Sequence, residues 1–308
     1  MSLNANLIKE LREKSGAGIV DCKNALLQND NNVDKSIDWL RKKGLSVAAK
    51  KSGRIAAEGL IGVHIENNQA CLIEINSETD FVSRNEQFQK FVNDCSKIAI
   101  STDGNIDSLL KTRFIDSDNT VQDELTKNVA TIGENLNIRR IEKINLDGPG
   151  LIISYIHNSV SQNLGKIGVI LALKSKADKK SLNDLGKKIS MHIAASNPIS
   201  LNIDTLDPHI IDKEKQVLIE QATSTGKPRD IAEKMVEGRI RKFCEEVVLL
   251  EQTFVMDGKS KIKDVLKQNS DELGTDIEIE SFKMLVLGQG IEVQEKDFAA
   301  EVAATANN

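Results

Sequence analysis

Four histidines, four cysteines and one close pair of acids are the groups in this 308-residue chain best suited to catalysis or metal binding. His64, His157, His192 and His209 are dispersed, and His64 and His192 fall within regular apolar patterns, which predicts structural positions for both. Cys22, Cys71, Cys95 and Cys244 form no C-x-x-C pair, and no histidine lies near enough in sequence for zinc-like spacing, so no metal site is expected. Scattered single cysteines of this kind are predicted to be reduced core residues. Glu78 and Asp80 in "SETD" could share acid and base work, but neighbouring acids on a loop are ordinarily solvated. There is no G-x-x-x-x-G-K-[ST] loop, and "GQG" at 288–290 lacks the third glycine of a dinucleotide fingerprint and is more simply a turn. The chain is therefore not expected to be an enzyme or to carry a cofactor.

What remains is an aromatic in an odd place. In "LIEINSETDFVSRN" a strand pattern passes into a helix start that Ser77 or Thr79 could cap. Phe81 either staples the helix from beneath, leaving Asp80 on the favourable end of its dipole, or stays exposed for another molecule. Phe88, Phe91 and Val92 share helical spacing and are better core candidates than Phe81.

The surrounding elements can be read from periodicity. Residues 4–43 carry three short amphipathic patterns: Leu7, Ile8 and Leu11; then Ile19, Ala25 and Leu26; then Val33, Ile37 and Leu40, with Gly44 predicted as the last C-cap. "SGAG" and "NDNN" separate them, and "RKKGLSVAAKKSGR" reads as a helix and linker leading out. A bundle of about forty residues is marginal alone, so it is expected to rest on a neighbour or a partner. "GLIGVHI" at 59–65 and "GLIISYI" at 150–156 begin two copies of a β-hairpin plus helix, continued by "ACLIEI" and "KIAIS" in one and by "IGVILAL" and "HIAAS" in the other. Two charged helical patterns flank "TGKPRD" and predict a projecting antiparallel hairpin with Val217, Leu218, Ile231, Met235 and Ile240 as a thin seam.

A net charge of −5 and an aromatic content of 3% provide neither a basic footprint nor a stacking surface, so direct contact with nucleic acid is not expected. The run "IGVILAL" is far short of the ~20 residues that span a bilayer, so no membrane association is expected. "MSLNANLIKELREKSG" lacks the apolar centre of a signal peptide and carries two acids that a transit peptide avoids, which points to a cytoplasmic protein.

"TDFVSRN" resembles the signature of the elongation factor Ts family, the guanine-nucleotide exchange factors of translation elongation factor Tu. "LREKSGAGIVDCKNAL" is similar to the family's N-terminal motif, in a domain like ubiquitin-associated bundles. "IGENLNIRR", "MHIAASNP", "GKPRDIAEKMVEGRIRKF" and "GQGIEVQEKDFAAEV" resemble later blocks in the family's order, so the likeness covers essentially the whole chain. Periodicity and resemblance together predict an α+β protein: a three-helix ubiquitin-associated-like domain and linker at 1–54, a first core copy at 55–148, and a second at 149–204 and 246–290. The helical hairpin is placed at 205–245 and a C-terminal helical module at 291–308.

The resemblance implies elongation factor Tu as the partner in protein synthesis, with Thr79, Asp80, Phe81 and Val82 reaching its nucleotide domain beside the magnesium site to promote GDP release. It implies Phe81 as the intruding side chain, Ile19 and Val20 as docking residues, and His157 as a further contact. "YIHNSVSQNLGKIGV" has a longer turn after that histidine than the family's short glycine-containing one. A helix starting near Lys296 is implied as another docking element, and either a homodimer or a two-plus-two complex with elongation factor Tu is left open. The alternative is a ubiquitin-binding-type adaptor acting through the N-terminal bundle, which leaves most of the chain without a use.

Overall fold

Two antiparallel sheets packed face to face, each with helices on its outer side, make the body of an α+β protein. The computed structural model describes residues 5–224 and 229–292. In chain order the elements are α1 (Ala5–Ser15), α2 (Ile19–Gln28), α3 (Val33–Lys51), β1 (Glu58–Glu66), β2 (Gln69–Ser77), α4 (Glu86–Ile100), α5 (Ile106–Lys111), α6 (Val121–Ile132) and β3 (Asn137–Asn145). There follow β4 (Gly150–His157), β5 (Leu164–Gly165), β6 (Ile167–Lys174), α7 (Lys179–Ser196), α8 (Pro208–Ser224), α9 (Arg229–Val247), α10 (Ile262–Leu273) and β7 (Glu278–Val286). No described helix is long and apolar enough to cross a membrane.

The first sheet has the order β3-β2-β1-β5 and the second β4-β6-β7. Ile61, Val63, Ala70, Leu72 and Ile144 from one meet Ile152, Ile170, Ala172 and Leu285 from the other. On the outer faces Leu60, Ile73 and Ile75 pack with Phe88, Phe91 and Val92 of α4, while Val169, Leu171 and Leu173 pack with Leu185, Ile189 and Ile193 of α7. Central strands covered on both sides must be apolar at nearly every position, which is why "ACLIEI" and "IGVILAL" do not alternate.

The duplication runs further than the two hairpins. Both copies carry a register shift in the pairing of their central strand, at Glu74/Ile75 and at Ala172/Leu173. α6 and α10 are each 12 residues long and end on left-handed glycines, Gly133 and Gly274. Each helix then leads into a 9-residue strand, β3 or β7. The loops before these helices, "TRFIDSDNT" and "TFVMDGKSK", close with matching bridges, Arg113 to Thr120 and Thr253 to Lys261. This half of the repeat is hidden in sequence because α8 and α9 are inserted into the second copy.

Two features lock the copies together. β5, in the turn after β4, pairs with β1 of the first sheet, and Lys166 reaches Glu58 at 2.6 Å. Glu74, 0% exposed in the middle of an apolar strand, accepts from Arg139, Arg140, Asn76 Nδ2 and Gly288 N. A buried carboxylate is tolerated only when its lone pairs are met in this way, and here the contacts bind the "GQG" turn to β2 and β3.

In the N-terminal bundle Leu11, Cys22, Ala25 and Leu26 are buried among Leu7, Ile8, Val33, Ile37, Trp39 and Leu40. Ile19 is not on that face: it stands in the first turn of α2, exposed. Gly44 does not cap α3 but lies inside it, facing Ala130 of α6. The helix continues because its second half is held from outside: Arg41 pairs with Asp123 at 2.7 Å and Lys51 Nζ donates to Gly133 O. These contacts and the packing of Gly44 on Ala130 act against the cost of roughly 1 kcal/mol for an interior glycine. The stretch read partly as linker is thus helix through Lys51.

Of the predicted hairpin seam, Leu218 is buried, Met235 is half-buried and Val217 is exposed, and Val236 is buried as well. Ile240 packs with Leu206, Cys244 and Val248, so the base of α8 and α9 belongs to a small core of its own. Gly226 and Pro228 of the tip, the side chain of Ile231, and the C-terminal helix expected near Lys296 lie outside the described residues.

Candidate functional site

β2 stops pairing at Ser77, and the chain then enters a single 3-10 turn over Asp80–Arg84 before α4 begins. The helix cap is neither Ser77 nor Thr79. Asn85 performs it, accepting from Phe88 N at 3.1 Å, while Ser77 Oγ donates to Thr79 O at 2.9 Å. The turn sorts its side chains sharply. Val82 is 5% exposed and joins the core beneath the first sheet, whereas Phe81 is 76% exposed and Asp80 also faces solvent. Ser83 Oγ closes the turn onto Asp80 O at 2.6 Å, and Gln89 Nε2 donates to Ser83 O at 2.9 Å. A phenylalanine held in water forgoes about 2 kcal/mol of burial, which an interface can recover. Phe88 and Phe91, by contrast, are core residues.

Upstream of the turn, two carboxylates cross between loops distant in sequence. Glu134 takes Thr79 N at 2.9 Å on one oxygen and Thr79 Oγ1 at 2.6 Å on the other. Glu78 accepts from Asn135 N at 2.6 Å and lies 3.4 Å from Arg54, so it is not the merely solvated acid that its loop position predicts. Asn135 Nδ2 in turn donates to Arg54 O at 2.7 Å. Glu134 falls in the "IGENLNIRR" block but stands outside any helical face, directly after a glycine cap, and nothing in its local pattern marks it.

The remaining predicted residues lie on other elements. Ile19 and Val20 open α2 behind Gly18 and are 56% and 68% exposed. His157 ends β4, exposed, with its Nδ1 hydrogen-bonded to the Tyr155 hydroxyl at 2.9 Å. In the long turn after it, Asn158 and Asn163 take left-handed φ values of 51° and 66°, and Val63 N donates to Asn163 O at 3.0 Å.

Of the groups suited to catalysis, His192 and the four cysteines are buried. His192 is buried and its pKa is lowered by burial, against an opposing hydrogen bond with Gln252. Burial pushes Cys71 up to about 12 and Cys95 well above the usual thiol range, which disfavours the nucleophilic thiolate. All four cysteines are reduced and buried. Half-buried His64 is likewise held low by burial, and His209 is exposed at the start of α8. Among the described residues no group of three His, Cys, Asp or Glu could hold a metal ion.

The profile of the family described as "Elongation factor TS" matches residues 78–289, a span that starts at the crossing carboxylates and includes the whole exposed turn. The chain belongs to the elongation factor Ts family. Elongation factor Ts of Rhodospirillum centenum is 49% identical over 304 residues, which cover 99% of both chains. The proteins of the same name from Allorhizobium ampelinum and Rhizobium meliloti are 47% and 45% identical, again over 99% of this chain and at least 98% of their own. Likeness to elongation factor Ts thus runs through the N-terminal bundle as well as the profile's span, which includes the hairpin helices.

Proposed function

We propose that this protein is a guanine-nucleotide exchange factor of protein synthesis, acting in the cytoplasm on elongation factor Tu without catalytic residues or a cofactor of its own. Phe81 is the side chain that enters the partner's nucleotide domain beside its magnesium site. Magnesium requires near-ideal octahedral geometry, so a ring that shifts its supporting groups weakens the grip on the phosphates and GDP leaves. No covalent bond forms or breaks. By linkage, bound factor weakens nucleotide by the same factor as nucleotide weakens the factor.

The roles divide along the turn. Phe81 is the wedge, Asp80 makes polar contacts beside it, and Val82 holds the turn down through its own core. Thr79 anchors the entry. Ile19, Val20 and His157 dock the protein, so that the wedge arrives in a fixed orientation. The observation that carries this reading is the 76% exposure of Phe81 on a turn whose next residue is buried, in a chain of the elongation factor Ts family.

The test is release of labelled GDP from elongation factor Tu under substoichiometric protein. Acceleration with turnover is expected, and equilibrium dialysis should find no GDP bound to the isolated chain. Direct nucleotide binding without any effect on elongation factor Tu would overturn the assignment.

A further inference from the structure

We infer that Glu134 is a positioning residue for Phe81, acting through Thr79; the consequence for nucleotide release rests on the reading under Proposed function. Ser77 Oγ holds the Thr79 carbonyl at 2.9 Å, and Glu134 holds the same residue's N–H and hydroxyl. Downstream, Phe81 is fixed by buried Val82 and by the Asn85 cap of α4. Upstream, sheet pairing ends at Ser77, and Thr79 precedes the turn in extended conformation, φ −125° and ψ 159°.

A threonine in that place ordinarily turns its hydroxyl inward to cap the next residues. Here it makes no such bond. Both its N–H and its hydroxyl instead go to the two oxygens of one carboxylate, 55 residues away in sequence. Charge-assisted bonds of this sort are about twice as strong as neutral ones, and two on a single residue fix direction as well as distance.

The carboxylate is itself held in place. Gly133, at φ +85°, ends α6 in the left-handed conformation and turns the chain toward the Phe81 loop. Lys51 Nζ holds the Gly133 carbonyl, and Asn135 is tied to Glu78 and Arg54. A ring that is 76% exposed has little packing of its own to set its direction. Without the upstream anchor it would be free to swing and lie against the protein's own surface, and the fraction of molecules ready to act would fall.

The test uses the full chain in two arms. In a Trp39→Phe, Phe81→Trp background the only tryptophan reports on the tip, since Trp39 is the one natural tryptophan. Glu134→Ala should raise the amplitude of fast local motion in its fluorescence anisotropy decay. Glu134→Gln should restore most of the order, because its carbonyl can accept from Thr79 N while its amide donates to the hydroxyl. Glu134→Asp, charged but one methylene short of both contacts, should loosen the tip and serves if the alanine variant folds poorly. An unchanged decay in the alanine and aspartate variants overturns the inference.

In the second arm, saturating Glu134→Ala protein should release GDP from elongation factor Tu about tenfold more slowly, as for a tip correctly placed about a tenth of the time. On a Phe81→Ala background the same change should cost nothing further. An equal additional loss there would mean that Glu134 serves the fold generally, and would also overturn the inference. If Phe81→Ala itself leaves saturated release intact, the wedge reading fails, and the anisotropy arm still decides the role of Glu134.

Discussion

Phe81→Ala should leave the free protein nearly as stable as before, while the same change at Phe88, in the first turn of α4, should not. Phe81 hides only about a quarter of its surface, roughly 50 Å² of the ~200 Å² an aromatic can bury, which bounds its contribution near 1 kcal/mol. Phe88 is fully buried among Leu60, Ile73, Val92 and their neighbours, and its truncation should cost about 3–5 kcal/mol. At roughly 2 cal/mol/K of unfolding entropy per residue, 1 kcal/mol shifts the melting temperature of a chain this long by about 1.5 °C. The expected shifts are therefore under about 2 °C for Phe81→Ala and about 5–8 °C for Phe88→Ala, read by circular dichroism. Stopped-flow release of labelled GDP at saturating factor supplies the other half. Phe81→Ala should lower that rate strongly, because docking contacts elsewhere bring the protein in but nothing replaces the ring. Truncating a buried aromatic anchor should also weaken association by about 2 kcal/mol. A melting shift for Phe81→Ala as large as that of Phe88→Ala, with an unchanged saturated rate, would refute the reasoning.

Ile19→Ala combined with Val20→Ala should weaken binding to elongation factor Tu yet leave the saturated release rate near normal; a rate that saturation cannot restore would assign them to the exchange step. Replacing residues 212–239 with a short linker should preserve a cooperative thermal transition, since Leu206, Ile211, Ile240, Cys244 and Val248 of the hairpin base are retained. Loss of the transition would place the hairpin arms in the core. His192 gives a pH signature: Gln252 Nε2 donates to Ser196 O and Glu246 O, so its Oε1 accepts from His192 Nε2, while His192 Nδ1 faces the donor Val255 N at 3.3 Å and, more distantly, the Ser196 hydroxyl at 3.4 Å. A proton on Nδ1 would set two donors against each other, and burial already lowers the folded pKa. The unfolded state, near 6.5, therefore takes up protons first, and the stability owed to neutral His192 is complete above about pH 6.5 and is lost progressively as pH falls toward the folded value. Urea titrations from pH 7.5 to 5 should show that decline flattened in His192→Gln.

Local pattern carried much of this protein. The apolar spacing of Phe88, Phe91 and Val92 marks the inner face of α4, since neighbours on one helical face must share one environment. The paired strand runs likewise predicted two hairpins of an α+β fold, because strands covered on both faces need unbroken apolar sequence. Helical periodicity also located the three N-terminal helices, but not where the third stops. Glycine is a common cap residue, and contacts with Ala130, Asp123 and Gly133 of another element support α3 beyond Gly44. The second half of the duplication was obscured by the inserted α8 and α9, and it emerges only where α6 with β3 and α10 with β7 stand in equivalent places. Phe81 shows the division most plainly. Residue type left it open between core and surface, since an apolar side chain at a strand-to-helix junction satisfies either. Tertiary structure decides, because Val82 fills the core beneath the turn and leaves its neighbour outside. The grip of Glu134 on Thr79 belongs wholly to that level: a hydrogen bond across 55 residues depends on where two loops meet, and periodicity reports only which face a residue shares with its neighbours.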